Sequence, residues 1–226
     1  MAEQPTQKFV KIGAKNLRFA KLNDLGFVDG DVVSLPGTTQ VKVAITSNNA
    51  TLSADDGPYM SLSSGIEKVT MTISNYFLTP EIKQLILGTT YKKGMEIFDD
   101  KTLPNHVAVM YETQLISNAK NPLYVGLLNG TFKFPDSTTK SLGNGAPDPS
   151  AEELEGEFVQ QERGNRKITE INGFTSDSDF DLATYEKLVF PKSSEDLTSA
   201  LAVIDGTKPQ AAHTEPSSGV ASHVGH

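Results

Sequence analysis

The hydrophobic positions along this chain recur mostly with a period of two. Val41, Val43 and Ile45 alternate with Lys42, Ala44 and Thr46. The same alternation returns in Val69-Thr70-Met71-Thr72-Ile73, in Val107, Val109 and Tyr111, and in Leu123, Val125 and Leu127. A strand points successive side chains to opposite faces, so this pattern, carried largely by β-branched residues, predicts half-buried strands. Between them lie the turn-forming clusters Ser47-Asn48-Asn49, Asp55-Asp56-Gly57, Ser63-Ser64-Gly65 and Asn129-Gly130. Many short strands punctuated in this way predict a mainly β fold, a β-sandwich or barrel.

Two segments depart from period two. Thr79-Pro80-Glu81 has the form of an N-cap, a proline in the first helical position and a first-turn acid. Ile82, Leu85 and Ile86 then share a helical face and Gly88 ends it, so a helix of about two turns is expected, too short to persist without packing. A second short flanking helix is expected over residues 182–188, with Asp179 or Asp181 in its first turn.

Glu153, Glu155 and Glu157 alternate with Leu154, Gly156 and Phe158. On a strand over 152–162 all three carboxylates share one face, and Gly164-Asn165 suits a two-residue turn returning through 166–171. Ser150-Ala151-Glu152-Glu153 competes as a capping box that would start a helix. Gly156 and the hairpin behind it favour the strand. An ordinary solvated face is the plain alternative to a functional one.

Residues 136–150, rich in Ser, Thr, Gly, Pro and Asp, read as a long loop. From residue 191 the chain loses its aromatics and reads as a flexible polar tail to His226. The expected organisation is an arm over 1–7, a β domain over 8–190 and a tail over 191–226.

Charge and composition narrow the function. The net charge is −8 with no basic run, which argues against a nucleic-acid-binding module. There is no cysteine, so disulfides, thiolate metal sites and a cysteine nucleophile are excluded. No apolar run approaches the roughly 20 residues that span a bilayer, and the polar start lacks a signal-peptide core, so no membrane partner is expected. Three of the four histidines, His213, His223 and His226, fall in the polar tail, where nothing would fix a metal geometry. His106 stands alone before a strand. The series Asp177, Asp179, Asp181 resembles the start of a calcium loop, but Leu182 and Leu188 occupy the positions where such a loop needs Gly and Glu. Helix capping explains it better. No enzymatic constellation and no cofactor site is expected.

The order of these features resembles a known family. Lys15-Asn16-Leu17-Arg18-Phe19-Ala20 is followed by Leu35-Pro36-Gly37, the strand over 41–46, Ala54-Asp55-Asp56, the strand over 69–73 and the helix from Thr79-Pro80-Glu81 to Gly88. This is similar to the major tail proteins, or tail tube proteins, of long, non-contractile-tailed bacteriophages of Gram-positive hosts, over about residues 8–190. The resemblance implies a structural subunit of the virion tail, made and assembled in the host cytoplasm, whose hexameric rings stack into a tube. DNA and the tape-measure protein would pass through the lumen without specific binding, and other tail proteins would meet the tube ends. It further implies inter-ring contacts from residues 1–7 and from the long loop, with Lys140, Leu142, Asn144 and Asp148 as candidates. Glu153, Glu155 and Glu157 would face the lumen, where negative charge discourages DNA from adhering. Another tail component of related fold, a terminator or connector, and a β-sandwich binding module are the alternatives. The absence of Trp counts against a carbohydrate-binding module.

Overall fold

The computed structural model describes residues 10–54, 56–116, 120–136 and 151–206. The fold is mainly β, with short flanking helices, as the alternating pattern predicts. Among the described residues, twelve strands and three helices follow in the order β1 (Val10–Lys21), β2 (Val33–Ser34), β3 (Thr38–Ala54), β4 (Gly57–Asn75), α1 (Pro80–Leu87), β5 (Thr90–Lys92), β6 (Met95–Ile97), β7 (Val107–Ile116), β8 (Lys120–Phe132), β9 (Glu152–Phe158), β10 (Gln161–Arg163), β11 (Arg166–Ile168), β12 (Glu170–Phe174), α2 (Leu182–Val189) and α3 (Ser194–Ile204).

One eight-stranded antiparallel sheet dominates, in the order β2-β1-β7-β8-β9-β4-β3, with β12 also paired to β8. Strand β8 pairs with β7 along one edge and divides the other between two partners: residues 123–127 bond to β12, and Gly130–Phe132 bond to β9. This fork lets the sheet roll around its larger apolar cluster, which holds Phe19, Met71, Ile73, Val109, Leu127, Phe132, Leu154 and Phe158. Helix α1 lies against that cluster through Ile82, Ile86 and Leu87. The opposite face of β1, β7 and β8 carries Ala20, Ala108, Met110 and Leu128, which pack beneath Tyr185, Val189 and Phe190 of α2 and its C-terminal cap. The period-two alternation thus sorts residues to two sides: Val107 and Val109 toward α1, Ala108 and Met110 toward α2.

Helix α1 has the expected ends. The Thr79 hydroxyl accepts the Ile82 N–H, Pro80 starts the helix, and Gly88 closes it at φ 69°. Helix α2 begins where Asp181 accepts the Thr184 N–H at 2.8 Å, the capping role expected for this acidic series.

Several expectations are corrected. The clusters at 47–49 and 63–65 are not turns: they face each other in register, Asn49 opposite Ser63, within one long β3–β4 hairpin. Only the reversal between Ala54 and Gly57, which pair with each other, survives, with Asp56 at φ 59°. Bulges at 46–49 absorb the irregular residues, and on the N-terminal side of Val69 strand β4 has no second partner among the described residues. Asn129-Gly130 also runs straight through as strand β8. The late hairpin forms at Gly164-Asn165, but its first strand breaks after Phe158 and its return divides, β11 closing on β10 and β12 crossing to β8. The polar tail expected from residue 191 opens instead with α3, capped by Ser193, whose Oγ accepts the Asp196 N–H at 3.2 Å.

Candidate assembly surfaces

The strand reading of residues 152–158 places Glu153, Glu155 and Glu157 together on the outer face of β9, while Leu154 and Phe158 enter the core. Their neighbours across β4 are Ser74, Thr72 and Thr70, and beyond these on β3 lie Gln40, Lys42 and Ala44. Thr131 of β8 flanks Glu157 on the other side. The result is a broad face of short polar side chains over four strands. None of the three helices has its apolar contacts on it.

The acidic row is largely paired with lysines. Lys133 Nζ lies 2.8 Å from Glu155 Oε1 and 3.5 Å from Glu157 Oε1, and Lys68 Nζ lies 3.2 Å from Glu157 Oε1. Lys68 donates to Glu157 and holds its carboxyl below the ordinary range, while Glu155 raises Lys133. These groups are solvated, so each pair contributes little to stability. Glu153 has no cation beside it among the described residues. The face is therefore a mixed, hydrated surface rather than a uniformly negative one. Lys68 stands 89 positions from Glu157, and no local signal could have joined them.

Lys140, Leu142, Asn144 and Asp148, and the arm over 1–7, lie outside the described residues. His106 is exposed, with Nδ1 2.8 Å from Asn129 Oδ1, whose amide nitrogen donates to Gln161 at 2.9 Å. It links the start of β7 to β8 and, through Asn129, to β10, and none of these partners is a nucleophile. Asp99 likewise closes a turn by accepting the Lys101 N–H at 3.0 Å.

Among the described residues, two of the sheet's unpartnered edges lie on β3 and β1. Strand β3 is bonded only to β4, and the first part of β1 only to β7, β2 reaching no further than Arg18 and Phe19. Glycine 13 (φ 73°) and Asn16 (φ 54°) accompany two register shifts along that part of β1. Bulges blunt an edge and restrict which strand can add to it.

The sequence matches the family model described as the phage tail tube protein over residues 13–197. The chain belongs to that family. A tail tube protein is a structural component of the phage tail, hence of the virion, and the family is not one of enzymes. Membership carries with it self-assembly into a tube and contact with other tail components. Among solved structures, the tail tube chain is similar to a chain of the sheath–tube complex of an extracellular contractile injection system in its extended state. The identity is 10%, with 71% of this chain and 89% of that one covered, at a TM-score of 0.34. It is also similar to the tube-terminating cap of the anti-feeding prophage, at 11% identity, 77% and 95% coverage and a TM-score of 0.36. No curated protein matches the sequence. No helix among the described residues is long and apolar enough to cross a membrane.

Proposed function

We propose that this tail tube protein forms hexameric rings that stack into the conduit of a long, non-contractile phage tail, through which DNA passes into a Gram-positive host. The supporting observation is the uncovered face over β8, β9, β4 and β3. A folded monomer gains nothing from a broad sheet face of Thr, Ser, Gln and balanced charges, but a lumen wall does. Lys42, Lys68 and Lys133 stand among Glu153, Glu155 and Glu157, so the wall holds water and presents neither an apolar patch nor a cationic stripe to which DNA would adhere. Repulsion of DNA is weaker on this surface than three bare carboxylates would give, and hydration carries more of the effect.

The free edges of β1 and β3 supply the ring contacts. A heterologous interface that closes on rotation makes a ring, and the long loop, with Lys140, Leu142, Asn144 and Asp148, and the arm over 1–7 reach the next ring. The tape-measure protein fills the lumen during assembly in the host cytoplasm, and other tail proteins cap the ends. Negative-stain electron microscopy with light scattering of the concentrated protein tests this reading. Hollow tubes with a regular axial repeat are expected. Compact monomers that still fail to assemble in lysate from phage-infected cells would overturn it.

A further inference from the structure

The hairpin β5–β6 stands apart from the main sheet, a two-stranded unit of three residues on each side. Its turn, Lys93-Gly94, has both residues at positive φ, 52° and 80°. A lysine in that region is unfavourable, where Asn or Gly is the usual choice. One face of the hairpin is tied down: Glu96 accepts from Lys83 of α1 at 3.3 Å and from Thr89 at 3.2 Å. The register puts Lys92 opposite Met95 and Thr90 opposite Ile97, on the other face. That face points away from the body, with Met95 58% and Ile97 42% exposed. Lys92 and Lys93 have no anionic partner among the described residues. Isolated hairpins are marginal in water, and this one leaves the apolar side chains of its outward face about half exposed.

A groove of about 460 Å³ lies along the free edge of β12, between α2 and the end of α3. Its apolar wall includes Phe174, Leu188, Val203 and Ile204, with Val203 53% and Ile204 49% exposed. Asp177 and Asp179 stand on its rim, and neither meets a cation among the described residues.

We propose that the β5–β6 hairpin of one copy seats Met95 and Ile97 in this groove of the next copy, with Lys92 and Lys93 against Asp177 and Asp179. The occupant is argued from charge complementarity and from placement. The hairpin is bound to α1, on the side of the sheet that faces the larger cluster, and the groove is built on α2 and α3, on the other side. Knob and socket therefore lie on opposite sides of one molecule. Such a pair cannot satisfy itself within a chain, and it links copies head to tail, the arrangement that generates rings and filaments. The proposal rests on self-assembly of the tail tube protein and names the surfaces that would carry it.

The absence of native cysteine allows a direct test that does not depend on tube formation. Protein carrying Met95→Cys is mixed with protein carrying Val203→Cys and oxidised, and the covalent dimers are separated by mass. Mixed dimers are expected to make up nearly all of the product, well above the half that random pairing of equal amounts would give. Lys92→Glu with Lys93→Glu in the first partner should lower their yield about tenfold or more, since like charges across a contact are strongly unfavourable. Adding Asp177→Lys with Asp179→Lys in the second should restore it. All these positions are exposed, and circular dichroism of each variant confirms that it is folded. Random cross-linking, or a yield insensitive to the charge exchange, would overturn the proposal. A cross-link that appears only after truncation at Gly206 would assign the groove to this chain's own last residues and overturn it too. Tubes without the specific cross-link sink this contact alone; the cross-link without tubes sinks the reading as a tube and leaves the contact standing.

Discussion

Phe132 and Phe158 meet edge to face, their ring centres 5.7 Å apart at 87°, and each covers a glycine of the other's strand. The register pairs Gly130 with Phe158 and Phe132 with Gly156 across β8 and β9. A Cβ at Gly130 would fall 2.4 Å from the Phe158 ring, and one at Gly156 would fall 2.6 Å from Phe132. The rings lie flat against bare backbone at the point where β8 passes from β12 to β9, so the fork and the core are fixed by one reciprocal contact. Gly130→Ala and Gly156→Ala should each destabilise the fold by about 1–3 kcal/mol, as overpacking does. Phe158→Ala should cost about 3–5 kcal/mol. Thermal and urea melts check both; a glycine variant as stable as the parent would show that the rings can move aside.

How far the sequence could lead is visible in the helices. Thr79, Pro80 and Gly88 announce α1 because each acts on backbone within a few residues of itself. Helix α3 carries equally good local signals, a Ser193 cap with Glu195 and Asp196 in the first turn. They are diluted by the polar composition that follows, which masks the helical periodicity of residues 194–204. The long β3–β4 hairpin was obscured for the reverse reason. Ser47-Asn48-Asn49 and Ser63-Ser64-Gly65 are turn formers taken singly, and only their mutual register, a property of two distant segments, makes them strand. The acidic row on β9 was legible as alternation, but Lys68 and Lys133, which change its charge, reach it through the sheet.

Arg163 is 1% exposed, and among the described residues its guanidinium meets only the backbone oxygens of Glu162 at 3.5 Å and Gly26 at 3.3 Å, leaving Nε without a partner there. Burial pushes its pKa down to about 10. A buried cation without a counter-ion costs stability, and replacement by an apolar residue of similar length removes that cost. Arg163→Met should therefore stabilise the fold by on the order of 1 kcal/mol. The sign in pH follows. Folded Arg163 releases its proton while the unfolded chain still holds it, so stability contributed here rises with pH above about 10. A variant that melts earlier than the parent would mean that the two backbone contacts outweigh the desolvation.

The mixed face on β8, β9, β4 and β3 makes a further demand. Single neutral changes such as Glu155→Gln should leave the melting temperature nearly unaltered, because solvated ion pairs contribute about 0–1 kcal/mol. A triple change of Glu153, Glu155 and Glu157 to lysine leaves six lysines and no carboxylate among the six charges. Tubes should still form, since these side chains are outward and do not enter the core, but the virions should retain or deliver DNA poorly. Infection at the parental rate would show that this face does not line the lumen.

Two phenols, the buried Tyr185 and the half-buried Tyr111, pull stability down in alkali. Burial, and next the Glu170 carboxylate, push Tyr111 up to about 12, and the same causes raise Tyr185 further. The Tyr185 hydroxyl donates to the Ile171 carbonyl at 2.9 Å, tying α2 to β12. In the unfolded chain both phenols titrate near their ordinary value, about 10. Their contribution is therefore complete below pH about 10 and is lost as pH rises toward and through the folded values. Melts across that window should show a falling midpoint with tyrosinate absorbance that lags behind the exposed tyrosines and then rises with unfolding. Tyr185→Phe should cost about 1 kcal/mol at neutral pH through the lost hydrogen bond. It should also flatten the alkaline decline, because a Phe ring has no proton to lose. If the decline is as steep in that variant as in the parent, the charge that breaks the fold at high pH lies elsewhere, and Tyr111→Phe then decides whether the second phenol carries it.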